Sequence, residues 1–182
     1  TLETNWQAVI EALGTVFVKP ALEGSSLGMS KVSNAQDLEA AFRHASTFGA
    51  GVMAEQFVSG PEYTVAILGD RALPSIRIDV SGDFYDFDAK YHSAETRFTC
   101  PADLAAEEEA ALSELALAAF AAVGGEVWGR VDVVREVGGV WQLLEVNTVP
   151  GMTSHSLVPL AAKVAGLSLL DLLTKIYEHS LE

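Results

Sequence analysis

GRVDVVREVGGVWQLLEVN, residues Gly129–Asn147, is the stretch on which the fold of this chain turns. Two strand-like runs flank Gly138-Gly139, and a Gly-Gly pair signals a two-residue type I′ hairpin. With those glycines as the loop, Asp132 faces Glu145 and Arg130 faces Asn147. The offsets along each strand are even, so all four side chains share one face. Two carboxylates directly opposite each other repel. A divalent cation between them reverses the sign of that interaction. Asp, Glu and Asn oxygens are hard ligands that suit Mg²⁺, above all Mg²⁺ also held by phosphates. The segment therefore points to a metal–nucleotide site with an arginine beside it for phosphate transfer. The alternative is a solvated hairpin face.

Outward from the hairpin, the elements alternate in a mixed pattern. Asn5 to Leu13 reads as a helix ended by Gly14. Val16–Lys19 is a short strand closed by Pro20, and Met29–Val32 is another. Ser33 with Gln36 has the pattern of a capping box for a helix running to about Ser46. Its apolar face is Leu38, Ala41, Phe42 and Ala45. Strands follow near 52–57, 62–69 and 73–80, the last two joined at Gly69-Asp70. Residues 81–100 are polar and aromatic with weak periodicity and read as a long loop. Glu107–Val123 is an amphipathic helix stopped by Gly124-Gly125, and two short helices near 158–165 and 168–180 close the chain. The class is α+β with mostly antiparallel sheet. The composition change predicts two lobes, 1–80 and 81–182, with a lid at 81–100.

Composition narrows the function. The chain has 182 residues, 49% of them hydrophobic, enough for a packed core in one domain or two small lobes. Its formal net charge of −14 repels phosphate backbones and argues against nucleic acid as a partner. It does not exclude a nucleotide arriving with its own Mg²⁺. Cys100, the single cysteine, permits no internal disulfide and fits a reducing compartment. No apolar run reaches the roughly 18 residues of a membrane span. The reading is cytoplasmic. Thr1 is not a start methionine, which suggests a piece of a longer protein or a processed chain.

Other segments carry candidate chemistry. Lys19 ends an apolar strand in FVKP, where a buried unpaired charge is costly. It is a candidate phosphate contact, or an edge lysine reaching solvent. Gly24–Gly28, GSSLG, offers backbone N–H groups and two hydroxyls for a phosphate, although no GK[ST] follows as in a Walker loop; an ordinary turn is the alternative. Glu55 and Glu62 flank FVSGP, where a strand end could take an adenine edge and an acid the ribose hydroxyls; the alternative is a pair of solvated strand-end acids. Lys90-Tyr91 sits in the long loop, as a lid tip that would suit closure over a negatively charged centre or as part of a solvated loop. His92 and His155 lack the local spacing of a zinc site.

Taken together, FVKPALEGSSLGMSKV, EQFVSGPEYTVAILG, LPSIRI, FYDFDAKYHS, GRVDVV and LLEVNTVPGMTSHSLVP stand in one order from Val16 onward. In that order they closely resemble the catalytic C-terminal portion of the D-alanine–D-alanine ligase family. The resemblance implies an ATP-grasp fold, with ATP and Mg²⁺ (two ions, Mn²⁺ as a substitute) as cofactors. It implies that two D-alanine molecules are joined through an acyl phosphate, for peptidoglycan precursors. By position, Lys19 and Lys90 would contact phosphates. Glu55, Phe57 and Val58 would line the adenine pocket and Glu62 would hold the ribose. Asp132, Glu145 and Asn147 would bind Mg²⁺. Arg130, Gly151 and Ser156 would hold substrate carboxylate or the intermediate, and Ser25 and Tyr91 would orient the first substrate and close the lid. Tyr91 matches the dipeptide-forming members. The family is often dimeric, which leaves a homodimer open. The family's N-terminal domain and an upstream nucleotide-contacting lysine are not in this sequence, and Thr15 stands where proline is common. Two rival readings remain: a nucleotide-binding module without catalysis, and an ATP-grasp ligase for another carboxylate and amine.

Overall fold

The computed structural model describes residues 5–24, 26–49, 51–79 and 96–181. Described residues up to Val58 form one compact unit; Ser59–Asp79 with Thr96 onward form a second. The first opens with helix α1 (Trp6–Leu13). The Asn5 side chain accepts the Ala8 N–H at 3.1 Å, satisfying one of the N–H groups that a helix start leaves over. Strands β1 (Val16–Pro20), β2 (Ser30–Val32) and β3 (Val52–Gln56) follow. They make an antiparallel sheet in the order β2-β1-β3. The alternation of VFVKP buries Val16, Val18 and Pro20 and turns Phe17 and Lys19 to the opposite face. Helix α2 (Ala35–Ala45) covers the buried face with Leu38, Ala41 and Ala45. Phe42, expected on that face, is 38% exposed and packs its ring against Trp6 of α1 instead. The cap of α2 is Asn34 with Asp37, not Ser33 with Gln36. Asn34 Oδ1 accepts the Asp37 N–H at 2.9 Å, and its amide donates to the Asp37 carboxylate at 2.7 Å.

The second unit is built around β4 (Glu62–Leu68). The Gly69-Asp70 turn leads to a two-residue β5 (Arg71–Ala72), not directly to the next long strand. Pro74 has no N–H to donate to a ladder, and β6 (Ile76–Asp79) begins after it. β7 (Arg97–Thr99) pairs with β6 within the stretch expected to be loop. Helix α3 (Ala106–Ala122) precedes the hairpin of β8 (Trp128–Arg135) and β9 (Trp141–Asn147). The sheet order is β7-β6-β4-β8-β9, with β5 beside β4, and every pairing is antiparallel. On one face, Leu112, Ala116 and Phe120 of α3 pack on Tyr63, Val65, Ile67, Val131 and Val133. Each large side chain so buried contributes about 1.5–3 kcal/mol. Helices α4 (Leu157–Val164) and α5 (Leu169–His179) complete the chain, and α4 packs against β4. Among the described residues no single helix is long and apolar enough to cross a membrane.

The expected boundary near residue 80 differs from the observed division. β4 and β6 hydrogen-bond into the sheet that contains β8, so residues from Ser59 belong with the second unit. The hairpin also differs from the expected two-residue turn. Glu136 N–H donates to the Val140 carbonyl at 2.9 Å and Gly139 N–H to the Glu136 carbonyl at 2.8 Å. Gly139 has φ of 84°, a left-handed conformation that suits glycine. The loop is therefore Val137–Gly139, a turn closed by a left-handed residue. This moves the pairing by one, so that Arg135 opposes Trp141 and Val133 opposes Leu143. An irregularity at Asp132/Val133 accommodates Leu144 as the extra residue of a bulge. Beyond it Asp132 opposes Glu145 and Arg130 opposes Asn147, as the sequence predicts.

Candidate functional site

The face of the second sheet opposite α3 carries the hairpin cluster. Strand alternation sets Arg130 and Asp132 of β8 there, and the antiparallel pairing adds Glu145 and Asn147 from β9 and Thr64 from β4. Glu62 lies two residues before Thr64 on the same face. Asp132 is only 6% exposed. An ionised carboxylate in such a place needs donors. Arg130 supplies two, Nε to Oδ1 at 2.8 Å and Nη2 to Oδ2 at 2.7 Å. Thr64 Oγ1 donates to Oδ1 at 2.5 Å. Burial by itself raises the pKa of this carboxyl. The hydrogen bonds and charge of Arg130, with the Thr64 hydroxyl and a smaller contribution from a hydrogen bond with Glu145, outweigh it and hold Asp132 below the usual carboxylate range. Glu145 is the more open partner, its side chain 53% accessible, with Oε1 3.9 Å from Arg130 Nη2.

Among the described residues no three His, Cys, Asp or Glu converge on a cation position. The donor set is two carboxylates and an amide, which is few for a cation held by protein alone. It fits Mg²⁺, which keeps waters and shares its coordination with phosphates. Asn147 Oδ1 also accepts the Val149 N–H at 3.1 Å, which fixes the side chain at the end of β9.

The turn after β9 brings Gly151 and Ser156 together. A Cβ at Gly151 would lie 2.9 Å from Ser156 Oγ, so a larger residue there would have to displace the Ser156 hydroxyl. Ser156 Oγ accepts the Thr153 N–H at 3.0 Å and lies 2.9 Å from Thr153 Oγ1.

In the first unit, the face of β1 opposite α2 gathers another set of predicted residues. Lys19 Nζ pairs with Glu55 Oε2 at 2.6 Å. Phe57 N–H donates to the Thr15 carbonyl at 2.8 Å, carrying the pairing one residue past β3. Its ring meets Phe17 edge-on at 5.4 Å. Lys31 Nζ stands 3.8 Å from the Phe57 ring centroid, a cation–π contact. Val58 follows, half-buried. Ser25, Lys90 and Tyr91 lie outside the described residues.

Sequence reasoning passed over Thr64 and Lys31. Thr64 had a signal: it is a hydroxyl in the apolar run of β4, at an even offset from Glu62. Lys31 had none without the pairing that sets it opposite Phe17.

Comparison with known proteins follows the same lines. The family described as D-ala D-ala ligase C-terminus matches residues 2–178. The D-alanine–D-alanine ligase of Idiomarina loihiensis is 51% identical over 181 residues, covering 99% of this chain and 59% of its own length. That of Chromohalobacter salexigens is 53% identical, covering 97% and 56%. Among solved structures, D-alanine–D-alanine ligase from Bacillus anthracis superposes with a TM-score of 0.85 at 32% identity, over 98% of this chain and 58% of that one. VanG D-Ala:D-Ser ligase from Enterococcus faecalis superposes with a TM-score of 0.81 at 34% identity, over 94% and 51%. The chain thus spans somewhat more than half the length of the relatives it matches, and its α+β architecture is their ATP-grasp fold.

Proposed function

Since this chain belongs to the D-ala D-ala ligase C-terminal family, we propose that it is the ATP-grasp catalytic portion of an ATP-dependent D-alanine–D-alanine ligase. The observation that carries this reading is the opposed pair Asp132 and Glu145, with Asn147 and Arg130 on the same face. In this reading the carboxylate of one D-alanine attacks the γ-phosphorus of ATP, the bond to ADP breaks, and an acyl phosphate forms. The neutral amine of a second D-alanine attacks that carbonyl. The tetrahedral oxyanion collapses with loss of phosphate, leaving the dipeptide. The first step brings anions together, so cations must offset the charge. Lys19, Lys90 and Arg130 fill that role, while Glu55, Phe57 and Val58 receive the adenine and Glu62 the ribose. Asp132, Glu145 and Asn147 would hold Mg²⁺, or Mn²⁺ in its place, which supplies further charge neutralisation at the phosphates. Gly151 and Ser156 hold the substrate end with Arg130. Ser25 and Tyr91 orient the first D-alanine and exclude water, which would hydrolyse an acyl phosphate.

In this reading the two units correspond to the two lobes of the ATP-grasp fold. The reaction belongs to the cytoplasmic supply of peptidoglycan precursors, and a homodimer is the proposed assembly. The test is phosphate release and dipeptide formation with D-alanine, ATP and Mg²⁺ in the intact protein. Asp132→Ala and Glu145→Ala should each abolish both; unchanged turnover would sink the assignment. The likeness to a D-Ala:D-Ser ligase favours one second reading, with D-serine as the amine substrate. ADP release across a panel of D-amino acids separates the two. Because the chain spans 59% of a relative's length, the same assay on this segment alone distinguishes a catalytic unit from a nucleotide-binding one.

A further inference from the structure

We propose that Thr64 is a positioning residue for the divalent cation, fixing which oxygen of Asp132 the cation can reach. The inference rests on the reading of Asp132 as a cation ligand. Thr64 is fully buried in the middle of β4. Tyr63 and Val65–Leu68 around it are buried too, and valine would fill the same volume without a hydroxyl. A hydroxyl in that position is unfavourable unless it is hydrogen-bonded. Its single proton has two acceptors in range, Asp132 Oδ1 at 2.5 Å and the Val131 carbonyl at 3.3 Å. The shorter contact is to the carboxylate. Oδ1 also receives Arg130 Nε at 2.8 Å, so two donors engage both of its lone pairs. Oδ2 receives Arg130 Nη2.

The strand order gives this arrangement a direction. β8 lies between β4 and β9. Thr64 draws Oδ1 from the β4 side, while Glu145 and Asn147 stand on β9. A cation held with Glu145 and Asn147 would find Oδ2 the less engaged oxygen of Asp132, with one donor against two on Oδ1. Threonine suits the task because its branched Cβ restricts χ1, so the hydroxyl is delivered at a set angle. Partners that orient a ligating carboxylate typically alter metal affinity by about 10–100-fold when removed.

The experiment is a titration of Mn²⁺ in the presence of ADP, followed by electron paramagnetic resonance on the intact protein, with the thermal midpoint recorded for each variant. Thr64→Val should weaken Mn²⁺ binding by about tenfold. Thr64→Ser keeps the hydroxyl and should bind as the parent does, and in turnover it should restore the apparent KM for Mg²⁺ that Thr64→Val raises. Thr64→Ala, which also lacks the hydroxyl, replaces the valine variant if that one does not fold. Parent-like Mn²⁺ affinity in the hydroxyl-free variant, or equal weakening in Thr64→Ser, overturns the role of Thr64. Asp132→Asn separates this from the underlying reading: it should lose Mn²⁺ binding. If it binds as the parent does, the cation site itself falls, and the role of Thr64 with it.

Discussion

Asp132 and Glu145 face each other, yet they carry different burdens. Asp132 is buried and holds the Arg130 guanidinium and the Thr64 hydroxyl; Glu145 is half-open to solvent. Asp132→Ala leaves those donors without their acceptor and should cost about 1–3 kcal/mol in urea unfolding. Glu145→Ala removes a half-exposed carboxylate that opposes Asp132 but also stands 3.9 Å from Arg130, and should leave stability within about 0.5 kcal/mol of the parent. Both variants should nonetheless lose ATP-dependent phosphate release, so activity and stability separate at this pair. Cys100 offers a second test at this scale. Burial, then the nearby Glu109 charge, pushes its thiol up to about 11. A thiol in the unfolded chain ionises near about 8.5. Its raised value in the fold means a contribution that is complete below that pH and is lost as pH rises toward about 11. Iodoacetamide at pH 8 should therefore alkylate the native protein far more slowly than the denatured one. Residue identities were the most legible layer of the sequence. The offsets of Asp132, Glu145 and Arg130 set them on one face, and the observed register keeps them there. Thr64 does not, because a threonine within a β run is also an ordinary strand former.

At the level of elements, type was legible where periodicity was long, and boundaries were not. The α2 cap moved by one residue because Asn34 competes with Ser33 for the same N–H groups and its amide can also donate. The hairpin was misread twice, in the loop and in the strand, and the two errors cancel at the site. Gly138-Gly139 has the composition of a two-residue turn, but only Gly139 takes the left-handed conformation, and Leu144 bulges to compensate. No local pattern in WQLLEVN marks that bulge. Helix α5 shows a cap that was readable in principle. Ser168 Oγ accepts the Asp171 N–H at 3.1 Å, and Asp171 accepts the Ser168 N–H at 2.9 Å. Ser168→Ala should lower the thermal midpoint by about 2–4 °C. The Ser168 hydroxyl and then its N–H hold the Asp171 carboxyl below its ordinary value. A lowered value means a contribution present above about pH 4 and lost as pH falls through the folded value. The difference between parent and variant should accordingly shrink in acid, as a pair of thermal scans would show.

For the whole molecule, the net charge of −14 has a consequence apart from catalysis. Self-repulsion among so many carboxylates works against the compact state and is screened by salt, the Debye length falling from about 30 Å at 0.01 M to about 8 Å at 0.15 M. The thermal midpoint should rise over that interval; a flat or falling midpoint in calorimetry would show that paired charges dominate instead. The two units were only partly legible. Composition marked a change near residue 80, whereas the pairing of β4 with β8 spans 68 residues between Thr64 and Asp132 and has no local signature. Each unit has its own buried cluster. That division also sorts the chromophores. Trp6 packs on Phe42 in the first unit, while Trp128 and Trp141 belong to the ends of the hairpin strands in the second. Within these 182 residues, Trp6→Phe would therefore leave tryptophan in the second unit alone, and the fluorescence of Trp128 and Trp141 would follow the hairpin without a dye.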